Sequence, residues 1–270
     1  MADAADPRAT GPDAEAVLRV ERDDGYAVVT LDRPGARNAL NARLRADLYD
    51  TMRTLDGDPE VAAVVLTGAD PAFCAGLDLK ELATTPGALA GGFDAEASLR
   101  RPYPDMTKPV VGAVNGVAVT GGFELALACD FLVASEHARF ADTHARVGIM
   151  PGWGLTVLLP QAVGLRRARE LSSTGNFLDA ATAYDWGLVN HVVAHDRLLP
   201  FARKLAADIA GNDPGGVRQI LATYRAGALV SGAEAYEIEQ RHSRAWLANR
   251  SEADFDARRR AVTERGREQL

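Results

Sequence analysis

The alternation of two kinds of segment in the first half of the chain constrains the fold most strongly. Residues 26–32 (YAVVTLD) and 61–68 (VAAVVLTG) are β-branched runs that end at turn residues, and both predict buried strands. Between them, apolar side chains recur at positions 40, 44, 48, 52 and 55, which is the spacing of one helix face. A strand, a helix and a second strand favour parallel pairing with helices packed outside, and therefore an α/β fold.

The rest of the chain changes from mixed to helical. Residues 108–119 predict a strand broken at Asn115-Gly116, and residues 128–141 predict two short strands around a Ser-Glu-His turn. Residues 213–270 show no strand signal and carry charge on every turn. We therefore predict three parts: a disordered, acidic, Pro- and Ala-rich lead-in (1–14), an α/β core (15–205) and a C-terminal helical region (206–270).

Composition narrows the class of protein. The 270 residues are 47% hydrophobic and 25% charged, which is typical of a globular protein, and the net charge of −7 argues against nucleic acid as a partner. No apolar run approaches the roughly 18–20 residues that span a membrane, and the start lacks the pattern of a signal peptide. The two cysteines, Cys74 and Cys129, have neither a CxxC spacing nor a histidine cluster nearby. We therefore predict no metal site, no membrane partner and a cytoplasmic location.

Two short stretches could carry chemistry. Ala75-Gly76, in AFCAGLDLKEL (72–82), would let a ligand approach backbone N–H groups, although an ordinary turn also explains it. In VTGGFELALACD (119–130), two glycines open a helix whose first N–H groups have no partner within the helix. Glu124 lies in its apolar part, where an unpaired carboxylate is costly to bury. From spacing alone, Glu124 could be a capping-box residue, if Gly121 is the N-cap, or an acid/base.

Together these stretches resemble the enoyl-CoA hydratase/isomerase family, also called the crotonase superfamily. The resemblance rests on five segments: DRPGARNALN (32–41), AFCAGLDLKE (72–81), KPVVGAVNGVAVTGGFELALACD (108–130), ARFADTHARVGIMPGWG (138–154) and SSTGNFLDAATAYDWGLVNHVV (172–193). It implies a spiral of ββα turns followed by a helical trimerisation region. It also implies an acyl-CoA thioester substrate, no cofactor beyond the coenzyme A that the substrate carries, and a homotrimer or a dimer of trimers.

The resemblance further assigns roles to residues. The amides of Leu77 and Gly121 match the pair that binds the thioester oxygen, where fixed N–H donors stabilise an enolate. Arg37 matches a position near the coenzyme A phosphates, where a guanidinium suits the charge. The remaining coenzyme A contacts are implied for Ala75, Gly76, Asp78, Leu79 and Lys80. For Lys80, an ordinary surface lysine is an equally good explanation.

The sequence departs from the family at its second acid/base. Glu124 matches one of two catalytic glutamates, but the other position, four residues before the glycine of GIMPG (148–152), holds His144. A neutral imidazole can exchange a proton at physiological pH, although it reaches differently and carries no resting negative charge. Trp153 stands where a small residue is common, which predicts a shortened acyl pocket; ordinary core packing is the alternative.

The departure leaves four functions open. Glu124 and His144 could together hydrate a 2-enoyl-CoA to a 3-hydroxyacyl-CoA, in fatty-acid or related acyl-CoA metabolism. Glu124 alone could move a double bond as an isomerase, or His144 could orient water or a leaving carboxylate in a thioester hydrolase or decarboxylase. A non-catalytic acyl-CoA binder is the fourth, and the retained Glu124 argues against it. Hydration by a lyase is the predicted function.

Overall fold

The computed structural model describes residues 16–84, 101–228 and 230–248. The lead-in predicted over 1–14 lies outside these ranges. The chain divides into two compact units, Met1–Pro214 and Gly215–Leu270. The boundary predicted after residue 205 lies inside the helix Leu198–Ala210, whereas the first unit ends at Pro214. Apolar side chains of this helix pack on the strands of the first unit.

The described strands, in chain order, are β1 (Leu18–Asp23), β2 (Tyr26–Leu31), β3 (Ala63–Gly68), β4 (Ala72–Cys74), β5 (Val110–Val114), β6 (Val117–Val119), β7 (Phe131–Ser135), β8 (Arg139–Ala141), β9 (Leu178–Asp179) and β10 (His191–Val193). They form a six-stranded sheet of order β1-β2-β3-β5-β7-β10 and a four-stranded sheet of order β4-β6-β8-β9. Pairing is parallel except at one outer pair of each sheet, β1 with β2 and β8 with β9.

The described α-helices are α1 (Ala42–Gly57), α2 (Leu79–Thr84), α3 (Gly121–Leu127), α4 (His144–Val147), α5 (Leu155–Val163), α6 (Leu165–Thr174), α7 (Ala180–Asp185), α8 (Leu198–Ala210), α9 (Pro214–Gly227) and α10 (Gly232–Ala248). Short 3-10 turns span Pro34–Ala36 and His195–Arg197.

The chain winds as a spiral because successive strands alternate between the sheets. β3, β5 and β7 each enter the six-stranded sheet, and β4, β6 and β8 then enter the four-stranded one before a helix follows. This confirms the predicted ββα spiral. Gly122 allows α3 to lie against β4, since a Cβ there would come within 2.1 Å of the Cys74 carbonyl oxygen.

The six-stranded sheet is covered on both faces. In β2, Ala27 and Val29 pack into the core shared with the smaller sheet, whereas Tyr26 and Val28 face a second cluster that contains Ala202 of α8. Burial on both faces explains why β2 reads as a continuous apolar run rather than an alternating one.

The second unit is described by the helix pair α9 and α10. Thr223 Oγ1 lies 2.8 Å from His242 Nδ1, and Gly227 faces Ala235, so the two helices run antiparallel. Among the described side chains of the pair, Ile220, Tyr224 and Tyr236 are large, apolar and exposed. The trimerisation role assigned to this region stays a prediction. Among the helices of the described residues, none is both long and apolar enough to cross a bilayer.

Candidate active site

The first wall of the site is the backbone after β4. Leu40 N–H donates to the Gly76 carbonyl at 2.8 Å, and Asp78 N–H donates to the Leu40 carbonyl at 3.2 Å. This bridge leaves the Leu77 N–H between them without an acceptor among the described residues. Gly76 has a φ of +85°, and a Cβ there would lie 2.8 Å from the Val119 carbonyl oxygen, so both the conformation and the space require glycine.

The second wall is the start of α3. Its N-cap, Thr120, has a φ of 53° and a ψ of −119°, a rare conformation for a β-branched residue. Thr120 is held there by its N–H, which donates to the Ala141 carbonyl at 3.1 Å, and by a hydrogen bond between its hydroxyl and that of Thr143. The Gly121 N–H, first in the helix, meets no acceptor within the described part of the chain.

Gly121 also keeps the space between the two walls open. A Cβ on this residue would lie 3.6 Å from the Leu77 nitrogen and 3.2 Å from Cζ3 of Trp153. A side chain at position 121 would therefore fill the place where two free N–H groups can meet a ligand oxygen.

Glu124 lies about one helical turn beyond Gly121 and is buried, with 3% of its surface exposed. Its Oε1 accepts a hydrogen bond of 2.7 Å from the Trp153 N–H, and its Oε2 lies 3.5 Å from Nε2 of His144. The capping-box interpretation is wrong. Thr120, not Gly121, is the N-cap, and the Glu124 carboxylate binds the backbone of a different segment.

His144 opens the short helix α4, directly after β8, and is held between two carboxylates. Asp142 Oδ1 accepts from the His144 ring Nδ1 at 2.7 Å and from its backbone N–H at 3.2 Å. On the other side of the ring, Nε2 faces Glu124. Asp142 and His144 are buried, with 2% and 4% of their surfaces exposed, so water screens these charges little.

The carboxylates determine the charge of the imidazole. Burial by itself would lower the pKa of His144, but the hydrogen bond to Asp142 and the charge of Glu124 outweigh it and raise the pKa from 6.5 to about 9. For the acid Asp142, burial acts in the opposite direction and raises the pKa. The hydrogen bonds from His144 and Ser172 nevertheless hold the pKa of Asp142 below its ordinary value. The two carboxylates therefore favour the protonated form of His144, a contribution that the sequence alone did not indicate.

These groups share one cavity of about 250 Å³. It is lined by Leu77, Gly121, Glu124, His144, Ile149, Met150, Gly152 and Trp153. The structure thus brings together the predicted oxyanion, acid/base and acyl-pocket residues. Trp153 both lines the cavity and belongs to the hydrophobic core, so its two proposed roles are compatible.

The residues predicted to bind coenzyme A lie beside this cavity rather than in its lining. Ala75 N–H donates to the Arg37 carbonyl at 3.0 Å, which joins the two predicted segments. The side chains of Arg37, Leu79 and Lys80 are exposed. The carboxylate of Asp78, in contrast, accepts from Arg33 at 3.1 Å and from the Lys80 amide at 3.2 Å.

Sequence reasoning missed Asp142 and Arg33. A signal for Asp142 exists in the sequence Asp142-Thr143-His144, because an aspartate often accepts a hydrogen bond from the backbone N–H two residues further on, as it does here. Arg33 lies 45 positions from its partner Asp78, and no local pattern connects them. In the described residues, no group of three or more His, Cys, Asp or Glu side chains is arranged to hold a metal ion.

Comparison with known proteins gives concordant results. The family profile "Enoyl-CoA hydratase/isomerase" matches residues 21–261. The chain is 36% identical over 255 residues to a probable peroxisomal enoyl-CoA hydratase 1 of Arabidopsis thaliana, a match that covers 94% of this chain and 95% of that one. It is 43% identical over 199 residues to a probable enoyl-CoA hydratase of Rhizobium meliloti, with coverage of 72% and 75%.

Solved structures agree with the sequence relatives. The crystal structure of an enoyl-CoA hydratase from Mycobacterium tuberculosis superimposes with a TM-score of 0.72 at 49% identity, over 85% of this chain and 98% of that one. An enoyl-CoA hydratase from Bacillus anthracis gives a TM-score of 0.82 at 29% identity, over 93% and 97%. With a profile match over nearly its whole length and relatives that align end to end, the chain belongs to the enoyl-CoA hydratase/isomerase family.

Proposed function

We propose that this protein is a lyase that adds water to a 2-enoyl-CoA and releases a 3-hydroxyacyl-CoA. The observation that carries the proposal is the convergence of two amides that have no acceptor among the described residues, Leu77 and Gly121, with the buried Glu124–His144 pair in one cavity. Relatives and solved structures named enoyl-CoA hydratase support the same reaction.

The amides of Leu77 and Gly121 stabilise the negative charge that develops during the reaction. When water attacks C3 of the enoyl thioester, the electrons of the double bond move towards C1 and negative charge develops on the thioester oxygen. The N–H groups of Leu77 and Gly121 are fixed by backbone structure and stabilise that oxygen without reorganising. One such donor contributes about 3 kcal/mol in related acyl chemistry.

The buried pair divides the two proton transfers. Glu124, held through Oε1 by the Trp153 amide, takes a proton from water through Oε2 while the oxygen–C3 bond forms. His144, as an imidazolium, gives the Nε2 proton to C2 as the enolate collapses. Transfer of the captured proton from Glu124 to His144, across 3.5 Å, restores the starting state. A base and an acid at neutral pH thus come from one coupled pair.

The substrate's coenzyme A supplies the handle for binding in this proposal, with no separate cofactor. The exposed Arg37 and the segment from Ala75 to Lys80 would meet the nucleotide end, and Trp153 would bound the acyl end. Butyryl-CoA should therefore bind and free butyrate should not, as measured by calorimetry. Equal affinities would count against this assignment.

Turnover of crotonyl-CoA tests the proposed function directly. Hydration removes the conjugated thioester absorbance, and the product carries a 3-hydroxyl group that mass spectrometry detects as one added water. A 3-enoyl-CoA offered in parallel would form the conjugated 2-enoyl-CoA if the protein were instead an isomerase. Release of free coenzyme A would identify a hydrolase. Binding without any of these reactions would leave a non-catalytic binder.

The oligomer and the location complete the proposal. We expect a homotrimer or a dimer of trimers, supported by the family and by the exposed apolar side chains on α9 and α10. Light scattering should give three or six times the mass of one chain, and a monomer would contradict this. The cytoplasmic location stays a prediction, which fractionation of the source cells would test.

A further inference from the structure

Asp142 has no assigned role in the proposed reaction, yet its position defines that of His144. Its carboxylate lies on the far side of the imidazole from the cavity and binds two hydrogens of the same residue, on Nδ1 and on the backbone nitrogen. A carboxylate can only accept at neutral pH, so Nδ1 must carry its proton. The ring is thereby fixed in both tautomer and orientation.

This orientation of the ring determines what its other nitrogen, Nε2, faces. Nε2 faces the Glu124 carboxylate at 3.5 Å, and a bare lone pair there would point at a negative charge. A proton on Nε2 converts this repulsion into attraction. The groups that face the ring are therefore Asp142 from the end of β8 and Glu124 from α3, while Ser172 of α6 supports Asp142. Arg146 of α4 donates instead to Thr174 and Asn176.

We propose, on the basis of the hydratase function argued above, that Asp142 is a positioning residue that keeps His144 charged and holds its Nε2–H beside Glu124 at the cavity. Asp142 contacts His144 but does not itself line the cavity, so in this proposal it exchanges no proton with the substrate. It acts through the imidazole, as the buried carboxylate does in other His–carboxylate pairs. With Asp142 in place, His144 can serve as the acid that a glutamate would otherwise supply.

The test variant is Asp142→Asn, which keeps size but removes the charge. The alkaline limb of kcat should move down by at least one pH unit from about 9, because His144 loses its proton more easily. At pH 8 kcat should fall about twofold for a shift of one pH unit and about tenfold for a shift of two, with KM little changed, and the deficit should shrink as the pH is lowered towards about 6. Asp142→Glu retains the charge and should keep the limb closer to that of the wild type.

Asp70→Asn is the matched control. Asp70 also bonds a histidine, His195, at 3.2 Å, but its side chain is 63% exposed and lies outside the cavity. This variant should leave the pH profile of kcat unchanged. In a His144→Gln background, Asp142→Asn should add no further loss of kcat, because there is no imidazole left to position.

A readout without turnover separates this inference from the proposed function. In the ¹⁵N-labelled wild type, the His144 ring should carry protons on both nitrogens at pH 8, and Asp142→Asn should lower its midpoint. A neutral His144 in the wild type overturns the inference even if Asp142→Asn does not fold. Hydration with an unshifted limb in Asp142→Asn also overturns it and leaves the proposed function standing. Absence of hydration by the wild type overturns the function, and with it the role of Asp142.

Discussion

The protein contains two histidines that each lie between an aspartate and a second polar group, and they differ in almost everything else. His144 lies between Asp142 and Glu124 in a buried setting, with Nε2 directed to the cavity. His195 lies between Ser135, at 2.9 Å from Nδ1, and Asp70, at 3.2 Å from Nε2, in a partly exposed setting.

The second arrangement has the order serine, histidine, aspartate, and still it cannot act as a nucleophilic triad. Ser135 is fully buried and already accepts the His137 N–H at 3.1 Å, so no substrate carbonyl can reach it. Its aspartate is the exposed member, the reverse of the order that catalysis needs. The comparison teaches that burial and direction, rather than the set of residue types, distinguish a reactive histidine from a structural one.

The largest effect on turnover is expected at Glu124, the carboxylate that faces Nε2 of His144. Glu124→Gln keeps the shape and the hydrogen bond from Trp153 but removes the base that takes the water proton. We expect kcat for crotonyl-CoA hydration to fall by about 10² to 10⁴-fold with thioester binding little changed. Steady-state kinetics and calorimetry measure the two quantities. Retained turnover would show that Glu124 is not the base. The position of His144 beside Glu124 would then not distinguish it from His195 in catalysis.

The next effect is expected in the way the free energy of unfolding depends on pH. The pKa of His144 is raised in the folded state, from 6.5 to about 9, so its contribution is fully present below 6.5 and is lost as the pH rises through about 9. The extra stability of the wild type over His144→Gln should therefore be larger by up to about 3 kcal/mol at about pH 6 than at about pH 9.5. Denaturant unfolding at both pH values measures the difference. The same measurement on His195→Gln provides the comparison, and an equal change for both variants would contradict the contrast drawn here.

A smaller effect on turnover is expected at His144 itself. His144→Gln should lower kcat tenfold to a hundredfold, about 1.4 to 2.7 kcal/mol of barrier, because the proton donor to C2 is lost. The alkaline limb near pH 9 should disappear in this variant. His144→Glu restores two carboxylates and should keep or raise hydration relative to His144→Gln. Untouched hydration in His144→Gln, with activity abolished in Glu124→Gln, would show that Glu124 carries the proton transfers without His144.

The strand pattern predicted an α/β fold with parallel pairing, and the resemblance to the family implied the spiral. The runs that became β2 and β3 are buried on every residue, and the glycines beside Leu77 and Gly121 carry a family-specific pattern. The hairpin partner β1 was missed, since five of its six residues are exposed and it lacks an apolar face. It pairs with β2 across a turn at Gly25, whose φ of +75° suits glycine.

The chemistry of the site was predicted less completely than its location. The resemblance to the family identified Glu124 and His144 but gave no information on the charge of the imidazole. That charge depends on Asp142, two residues away in sequence, and on the 3.5 Å approach of Glu124 from a separate helix. Tertiary distances of this kind set a pKa, and no local pattern encodes them.

The smallest effect is expected at His195, the partly exposed histidine. His195→Gln replaces an imidazole that neither lines the cavity nor contacts Glu124, and an amide can still bond Ser135 or Asp70. Hydration should stay within about twofold of the wild type, and the free energy of unfolding should fall by less than about 1 kcal/mol, because the contact with Asp70 is partly exposed to solvent. The assays are those used for His144→Gln, run side by side. A tenfold loss of kcat in His195→Gln would mean that the carboxyl ends of β3 and β7 take part in the reaction. The buried pair would then no longer account for activity by itself.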